Sequence, residues 1–390
     1  MPKLKKYILV INSGSATLKF KIFHQDDFSV VLSGIVEKIG TPGSFITIEE
    51  DSKKRRMMMK NYPQGIPNHI EALKIVLDSI KHWKRKIKII GHRVVHGGQD
   101  FTQPTLITKR VLEKLKKYNQ LAPLHNPVNL ACISGCIQSL PSIKNVAIFD
   151  TAFYKNIPDY AYLYAIPYKY YQDFGIRRYG FHGISHHYVS QKAAEKIKKP
   201  LSKIKMVTCH LGSGCSATAI KNGKAIETSM GFTPLEGLTM GTRSGDLDPS
   251  VALFLIRHMD MGLQDVERVL NKESGLKGIF GYSNDMRDIM LAAGYKIPNY
   301  KPSKKFTKQD KVRAKLALKI FVYDIVRYVG SYATIMGGLD YVIFTAGTGE
   351  RNPDIRRMVM KDIRKAWPKT KSLVIPTNEE LMIAKQVKKF

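Results

Sequence analysis

One arginine stands among small and hydroxyl-bearing residues in TPLEGLTMGTRSGDLDPS, 233–250, just ahead of an apolar segment opened by Pro249. A guanidinium is planar, permanently charged and able to hold two oxygens at once. Thr242, Ser244 and Gly245 leave room beside it, so Arg243 suits phosphate recognition; the segment alone equally describes an exposed loop arginine. Two other stretches carry related chemistry. INSGSATLKF at 11–20 and HLGSGCSATAI at 210–220 each set a small Gly/Ser turn between two β-like runs, with SAT opening the second. Small turn residues let backbone N–H groups come close to phosphate oxygens.

Asp150 closes the apolar run NVAIF. Strand ends are where α/β sheets place functional carboxylates, and capping of the next turn is the competing reading. His182 and His186 in FHGISH have the i, i+4 spacing of a metal pair, but no Glu lies between them as in H-E-x-x-H. Ser185 reads as a helix cap, and zinc is not expected. GSGCSA at 212–217 fits G-x-G-x-x-A, yet a strand and an Asn222-Gly223 turn follow where a dinucleotide fold needs a helix. No G-x-x-x-x-G-K-[ST] occurs, which excludes a P-loop enzyme.

The elements that must position these residues are legible in the pattern. YILVIN, TLKFKIF and FSVVLSGIVEKI predict a strand meander joined by short polar turns. NHIEALKIVLDSIKHW predicts a helix, IKIIGHRVV a buried strand, and PVNLACISGCIQSL a helix with Asn126 as N-cap and Pro127 in its first turn. The second half replays this: MVTCHL, SATAI, a hairpin turn at Asn222-Gly223, then AIETS. A helix from about Pro249 capped by Asp248 and an amphipathic helix from about Lys311 to Ile335 follow. The strand YVIFTAG then runs through Gly347-Thr348-Gly349 into a helix opened by Asn352-Pro353. Strands alternating with helices after an antiparallel start give an α/β class with mixed sheets. The expected domains are 1–150 and 151–379, with a C-terminal helix at 380–390 returning to the first, and a cleft on which the two polar hairpins face each other.

Length and composition narrow the class. The 390 residues, 44% hydrophobic, allow two or more domains with real cores. No apolar run approaches the roughly 18 residues of a membrane-spanning helix. In MPKLKKYILVINSG the apolar stretch stops at Asn12, which suits a first strand behind a lysine cluster better than a signal peptide. Cys132, Cys136, Cys209 and Cys215 form no C-x-x-C pair and fit buried thiols in a reducing cytoplasm. The 63 Lys+Arg against 32 Asp+Glu give a net charge of +31. These cations are dispersed, in KKRR at 53–56, KRKIK at 84–88 and KRVLEKLKK at 109–117, without an aromatic RNA-binding signature or zinc finger. A cationic surface that draws in small anions is expected, and a nucleic-acid-binding protein would rest on charge alone.

INSGSATLKF, GHRVVHGG, LHNP, FDTAF, YGFHGISH, HLGSG, EGLTMGTRSGDLDP, SNDMRD, FTAGTGE and PTNEELMIA occur in the order and spacing of the acetate kinases, which the chain resembles over essentially its whole length. That resemblance implies two duplicated actin-like (ribonuclease H-like) domains with the active site between them. It also implies reversible in-line phosphoryl transfer between ATP and acetate, giving acetyl phosphate and ADP. Arg243 and His182 would stabilise the transferring group, Arg93 would hold the acetate carboxylate, and Asp150 would be the essential acid. Val95, Leu124, Phe181 and Pro234 match the pocket for the acetate methyl, positions that periodicity alone makes ordinary core; His125 lies near the substrate. His210, Leu211, Gly212, Ser213 and Gly214 match one nucleotide loop, and Asp285, Met286 and Arg287 a second. Gly347, Thr348, Gly349, Glu350 and Arg351 match a third, with Lys19 reaching the phosphates. Asn12 and Glu379 match magnesium-associated positions, with manganese as a substitute; His92 and His187 read as structural. Ser213 stands where the family usually carries Asn, and Thr348 and Arg351 stand in a loop usually GIGEN. Propionate kinases share the fold and are the nearest alternative. An actin-like scaffold without catalysis is disfavoured by the presence of both arginines and Asp150. A homodimer is implied as well.

Overall fold

Tyr7–Ser13 form β1, and all seven residues are buried. A strand with no exposed face has to lie inside a sheet covered on both sides. β1 accordingly sits between β2 (Thr17–His24), paired antiparallel, and β6 (Ile87–Val94), paired parallel. The computed structural model describes residues 6–50, 53–58, 62–123 and 125–390. It divides into one unit of Met1–Lys155 with Asn378–Phe390 and a second of Asn156–Thr377.

In the first unit β3 (Val30–Glu37), β4 (Phe45–Glu50) and β5 (Lys53–Met58) extend the antiparallel meander. β7 (Thr105–Leu106) and β8 (Lys144–Phe149) complete the sheet in the order β5-β4-β3-β2-β1-β6-β8-β7. KKRR thus lies on an edge strand, every residue of which is exposed. Lysine and arginine there discourage pairing with another chain. Helices His69–Ser79 and Asn126–Ser139 cover one face. Helix Glu379–Val387 covers β1 and β6. Gly91 permits this last approach, since a Cβ there would stand 2.6 Å from Ile383 Cγ2.

The second unit repeats the plan. β9 (Met206–Leu211), β10 (Cys215–Lys221) and β11 (Lys224–Thr228) form an antiparallel meander. β12 (Tyr341–Thr345) and β13 (Lys371–Val374) extend it in parallel from β9, in the order β11-β10-β9-β12-β13. The run β3-β2-β1-β6-β8 of the first sheet has this same sense throughout. The duplicated hairpin of the sequence is therefore a duplicated sheet. Helix Lys308–Met336 opens with a capping box at Thr307 and Asp310 and ends on Gly337 in the left-handed region.

Three local expectations change. Helix Asn126–Ser139 is entered from His125, and Asn126 occupies its first turn. Helix Gly183–Ile197 is entered from His182, so Ser185 lies inside it. Ala346–Arg351 form a short helix where an open glycine loop was expected. In the first two cases the side chain expected to cap has a tertiary partner instead, His96 for Asn126 and His210 for Ser185.

Candidate active site

The first unit gathers its polar residues at the carboxyl ends of three neighbouring parallel strands, β1, β6 and β8. That edge is where open α/β sheets bind ligands. Asn12 and Arg93 are the penultimate residues of β1 and β6, and Asp150 follows β8. Arg93 Nη2 donates to Asp150 Oδ2 at 2.6 Å, and its Nε reaches Oδ2 at 3.2 Å and Oδ1 at 3.4 Å. Arg93 Nη1 donates to Asn12 Oδ1 at 3.3 Å. The Asn12 amide in turn donates to Glu379 at 3.1 Å and Glu380 at 2.9 Å. Burial works against the Arg93 charge, but Asp150, Glu379 and Glu380 outweigh it and hold its pKa above the ordinary guanidinium value. Lys21 pairs with Glu380 at 3.2 Å, while Lys19, directly opposite Asn12 in the ladder, stays exposed.

The loop after β6 is fixed by two asparagines: Asn126, expected as a cap, and Asn129, which sequence reasoning passed over. Asn129 Oδ1 accepts from Val95 N–H at 3.1 Å, and its Nδ2 donates to Ser13 Oγ at 2.8 Å. Asn126 exchanges two bonds with the His96 backbone, at 3.0 and 2.9 Å. Val95, 3% exposed, is thereby held beside Arg93. His125 is half-buried at the entry to the same helix; Leu124 lies outside the described residues. His92 bonds Asn145 Oδ1 at 2.7 Å, and burial pushes it down to about 4 despite that bond. Burial likewise pushes His187 down to about 4. Both are neutral packing residues.

In the second unit His182 has φ 55°, a left-handed conformation that non-glycine residues adopt at some strain. Its Nδ1 lies 2.9 Å from Ser216 Oγ, and its ring stacks on His210 at 4.2 Å with an 18° tilt. His210 Nδ1 is 2.8 Å from Ser185 Oγ, itself 2.8 Å from Thr377 Oγ1. A Cβ on Gly214 would meet His182 Cε1 at 3.3 Å, Nε2 at 3.4 Å and Arg243 Nη1 at 3.5 Å. His182 and Arg243 therefore converge on the turn between β9 and β10, where only glycine leaves the space clear. Arg243 Nη1 donates to Pro234 O at 3.2 Å, and no carboxylate among the described residues pairs with it. Burial accordingly lowers its pKa. A buried, uncompensated cation is costly unless an anion arrives. Phe181, 1% exposed, directly precedes His182 in the chain.

The other second-unit residues surround that turn. Gly212 N–H bonds Gly214 O at 3.1 Å, and Ser213 O accepts from Gly241 N–H at 3.0 Å. A Cβ on Gly212 would lie 3.7 Å from Ala346 Cβ, which brings the helix Ala346–Arg351 alongside. Ala346 too is left-handed, with φ 63°. Glu350 is turned inward, its Oε1 accepting from Ala346 N–H at 2.8 Å and Thr377 N–H at 3.1 Å. Arg351 Nη2 lies against Gly347, 2.8 Å from where a Cβ would be. Asp285 caps the helix Met286–Ala293 and pairs with Arg287 at 2.6 Å; both Arg287 and Arg351 lower the Asp285 pKa. Ser216, Asn129, Glu380 and Ala346 were missed because their importance is tertiary: nothing in their local sequence marks them.

Comparison with known proteins meets this geometry. Residues 7–367 match the model of the acetokinase family. The acetate kinase of Thermoanaerobacter pseudethanolicus is 44% identical over 411 aligned positions, covering 98% of this chain and 98% of that one. That of Clostridium novyi is 42% identical, with 98% of each chain covered. Among solved structures, an acetate kinase from Porphyromonas gingivalis superposes with a TM-score of 0.83 at 38% identity, covering 97% and 98% of the two chains. A propionate kinase from Francisella tularensis superposes with a TM-score of 0.87 at 36% identity, covering 98% of each.

Proposed function

The chain belongs to the acetokinase family and is a phosphotransferase with a carboxyl group as acceptor, an acetate kinase; from that premise we propose how its residues divide the work. The observation that carries the assignment is Arg243, half-buried without a carboxylate partner among the described residues and converging with His182 on Gly214. Acetate is already ionised near neutral pH, so the acceptor needs no strong base. The barrier is an anion approaching an anion, which positioning and charge neutralisation lower. Arg93, held in plane by Asp150, presents its remaining N–H groups to the acetate carboxylate, with Val95 against the methyl. Arg243 and His182 donate to the oxygens of the transferring phosphoryl group. Residues 210–214, 285–287 and 347–351 take ATP or ADP, and the exposed Lys19 ammonium meets the phosphates.

Magnesium fits the oxygens present, because it takes one or two carboxylates and leaves its other positions to water and phosphate. Asn12, Asp150 and Glu379 would hold it, and it would supply charge neutralisation at the phosphates. Among the described residues no helix is long and apolar enough to cross a membrane. The absence of any buried residue in helix Pro249–His258, with Leu253 48% and Phe254 55% exposed, supports a homodimer in which a second copy covers that helix. Hydroxamate formation from acetate, ATP and hydroxylamine tests the reading, with propionate run beside acetate. Acetate-dependent product at a higher kcat/KM than propionate is expected. A preference for propionate would move the chain to that substrate, and no product with either acid would refute the assignment.

A further inference from the structure

Behind His182 lies a buried relay that the transfer chemistry above leaves unused. Ser216 Oγ stands 2.9 Å from His182 Nδ1 and 2.7 Å from His186 Nε2, and His186 Nδ1 stands 2.7 Å from Thr208 Oγ1. Ser216, His186 and Thr208 are each 0% exposed. We propose that Ser216, backed by His186, is a positioning residue whose hydroxyl donates to His182 Nδ1 and so fixes His182 as the tautomer carrying its proton on Nε2.

The proton count leaves two arrangements in which the Ser216 hydroxyl donates to one imidazole and accepts from the other. A serine hydroxyl has one proton and a neutral imidazole has one N–H and one bare nitrogen. Burial, and then His210 nearby, push His186 well below the usual histidine value, so it is neutral. In the first arrangement His186 Nε2–H donates to Ser216, Ser216 donates to His182 Nδ1, and Thr208 donates to His186 Nδ1. In the second every bond is reversed, His182 Nδ1 holds the proton, and a neutral His182 turns a bare Nε2 outward.

The outward edge decides between them. His182 Nε2 and Arg243 Nη1 border the same space at Gly214. A bare nitrogen there would repel the anion that Arg243 attracts. A doubly protonated ring would set a second full charge beside that guanidinium. It would also stand at the first turn of the 15-residue helix Gly183–Ile197, the positive end of its dipole. A neutral Nε2–H donor avoids both costs while still meeting a developing oxyanion. The left-handed backbone of His182 and the stacked His210 ring hold the imidazole plane in which this donor points.

The proposal rests on the phosphoryl-transfer reading, and its test separates the two. Nitrogen-15 NMR of histidine-labelled wild-type protein, with His182 assigned by its loss in His182→Asn, should show Nδ1 bare and Nε2 protonated. Ser216→Ala should lower kcat roughly 10–100-fold, the scale for losing the group that orients a functional histidine. KM for acetate and ATP should stay within about twofold, and the His182 signals should become a tautomer mixture. His186→Leu should behave alike, and His186→Gln, whose amide can donate from the Nε2 position, should recover most of the loss. A wild-type His182 protonated on Nδ1, alone or with Nε2, overturns the proposal, as does a Ser216→Ala protein with unchanged signals and kcat. Should Ser216→Ala fail to fold, the wild-type signals decide alone. A wild-type chain that forms no acetyl hydroxamate refutes the functional reading, and the nitrogen signals still decide the relay.

Discussion

Replacing Arg243 by leucine removes a charge from a place where the protein supplies nothing to balance it. The guanidinium is half-buried, hydrogen-bonded to Pro234 O and unpaired with any carboxylate among the described residues. Two unit charges about 4 Å apart interact by roughly 4 kcal/mol at an effective dielectric constant near 20. At about 1.4 kcal/mol per factor of ten, losing that interaction where negative charge is most crowded lowers kcat roughly 10³-fold. Ground-state ATP loses less, so KM should change under about tenfold. The same partial burial sets the sign on stability: an uncompensated, partly buried cation costs free energy, and its removal should leave Tm unchanged or higher. Arg243→Lys, a point charge without the fork, should fall between. Initial rates by the hydroxamate assay and thermal melts on the same preparations read both quantities. A kcat within tenfold of wild type, or a large fall in Tm, would refute the reasoning by making Arg243 a structural residue.

Asp150→Asn should also cost roughly 10³-fold in kcat but lower Tm, since it strands Arg93 without its bidentate partner; a raised Tm would contradict the pairing. Val95→Ala enlarges a wall that is 3% exposed and should shift kcat/KM toward propionate by about 10–200-fold relative to acetate; an unchanged ratio would return Val95 to the core. His92 is held down to about 4 by burial, so the unfolded chain binds its proton first and stability falls as pH drops from about 6.5 toward 4. That loss is at most about 3 kcal/mol, and urea melts across the window should show a shallower slope for His92→Gln. Phe254→Glu should yield monomers by sedimentation if a second copy covers helix Pro249–His258, and an unchanged sedimentation coefficient would clear that face.

What could be read from the sequence is what local physics controls. β1 and β6 announced themselves as apolar runs, and Asp248 was legible as a cap because an Asx residue ahead of proline has one obvious use. The duplicated sheet followed from the repeated hairpin. KKRRMM at 53–58 did not read as a strand, because its pairing with β4 supplies what its composition withholds. Asn126 looked like a cap because such residues usually are; its amide instead clasps the His96 backbone. Arg93 and Asp150 are 57 positions apart, and only the register of β6 against β8 makes them partners. Their roles came from resemblance, and Ser216, Glu380 and Asn129 escaped because their meaning depends on residues distant in the chain.

The departures from the family pattern on the proposed donor side fall where backbone geometry carries the function. Ser213, in place of the usual Asn, contributes its carbonyl to Gly241 N–H, a bond indifferent to the side chain. Its hydroxyl can still meet a phosphate oxygen, with shorter reach. The helix around Thr348 is anchored by Glu350, whose carboxylate holds Ala346 N–H and Thr377 N–H. That anchoring leaves the residue at 348 free to vary without moving the turn. Arg351 lies over Gly347, so its aliphatic and guanidinium atoms occupy space that a larger residue at 347 would take. Gly347 and Arg351 are therefore a matched pair: Gly347→Ala should displace the guanidinium and cost more here than in a relative with a shorter side chain at the later position. The three substitutions leave these backbone bonds in place, and this is the physical ground for the proposal that ATP is the donor.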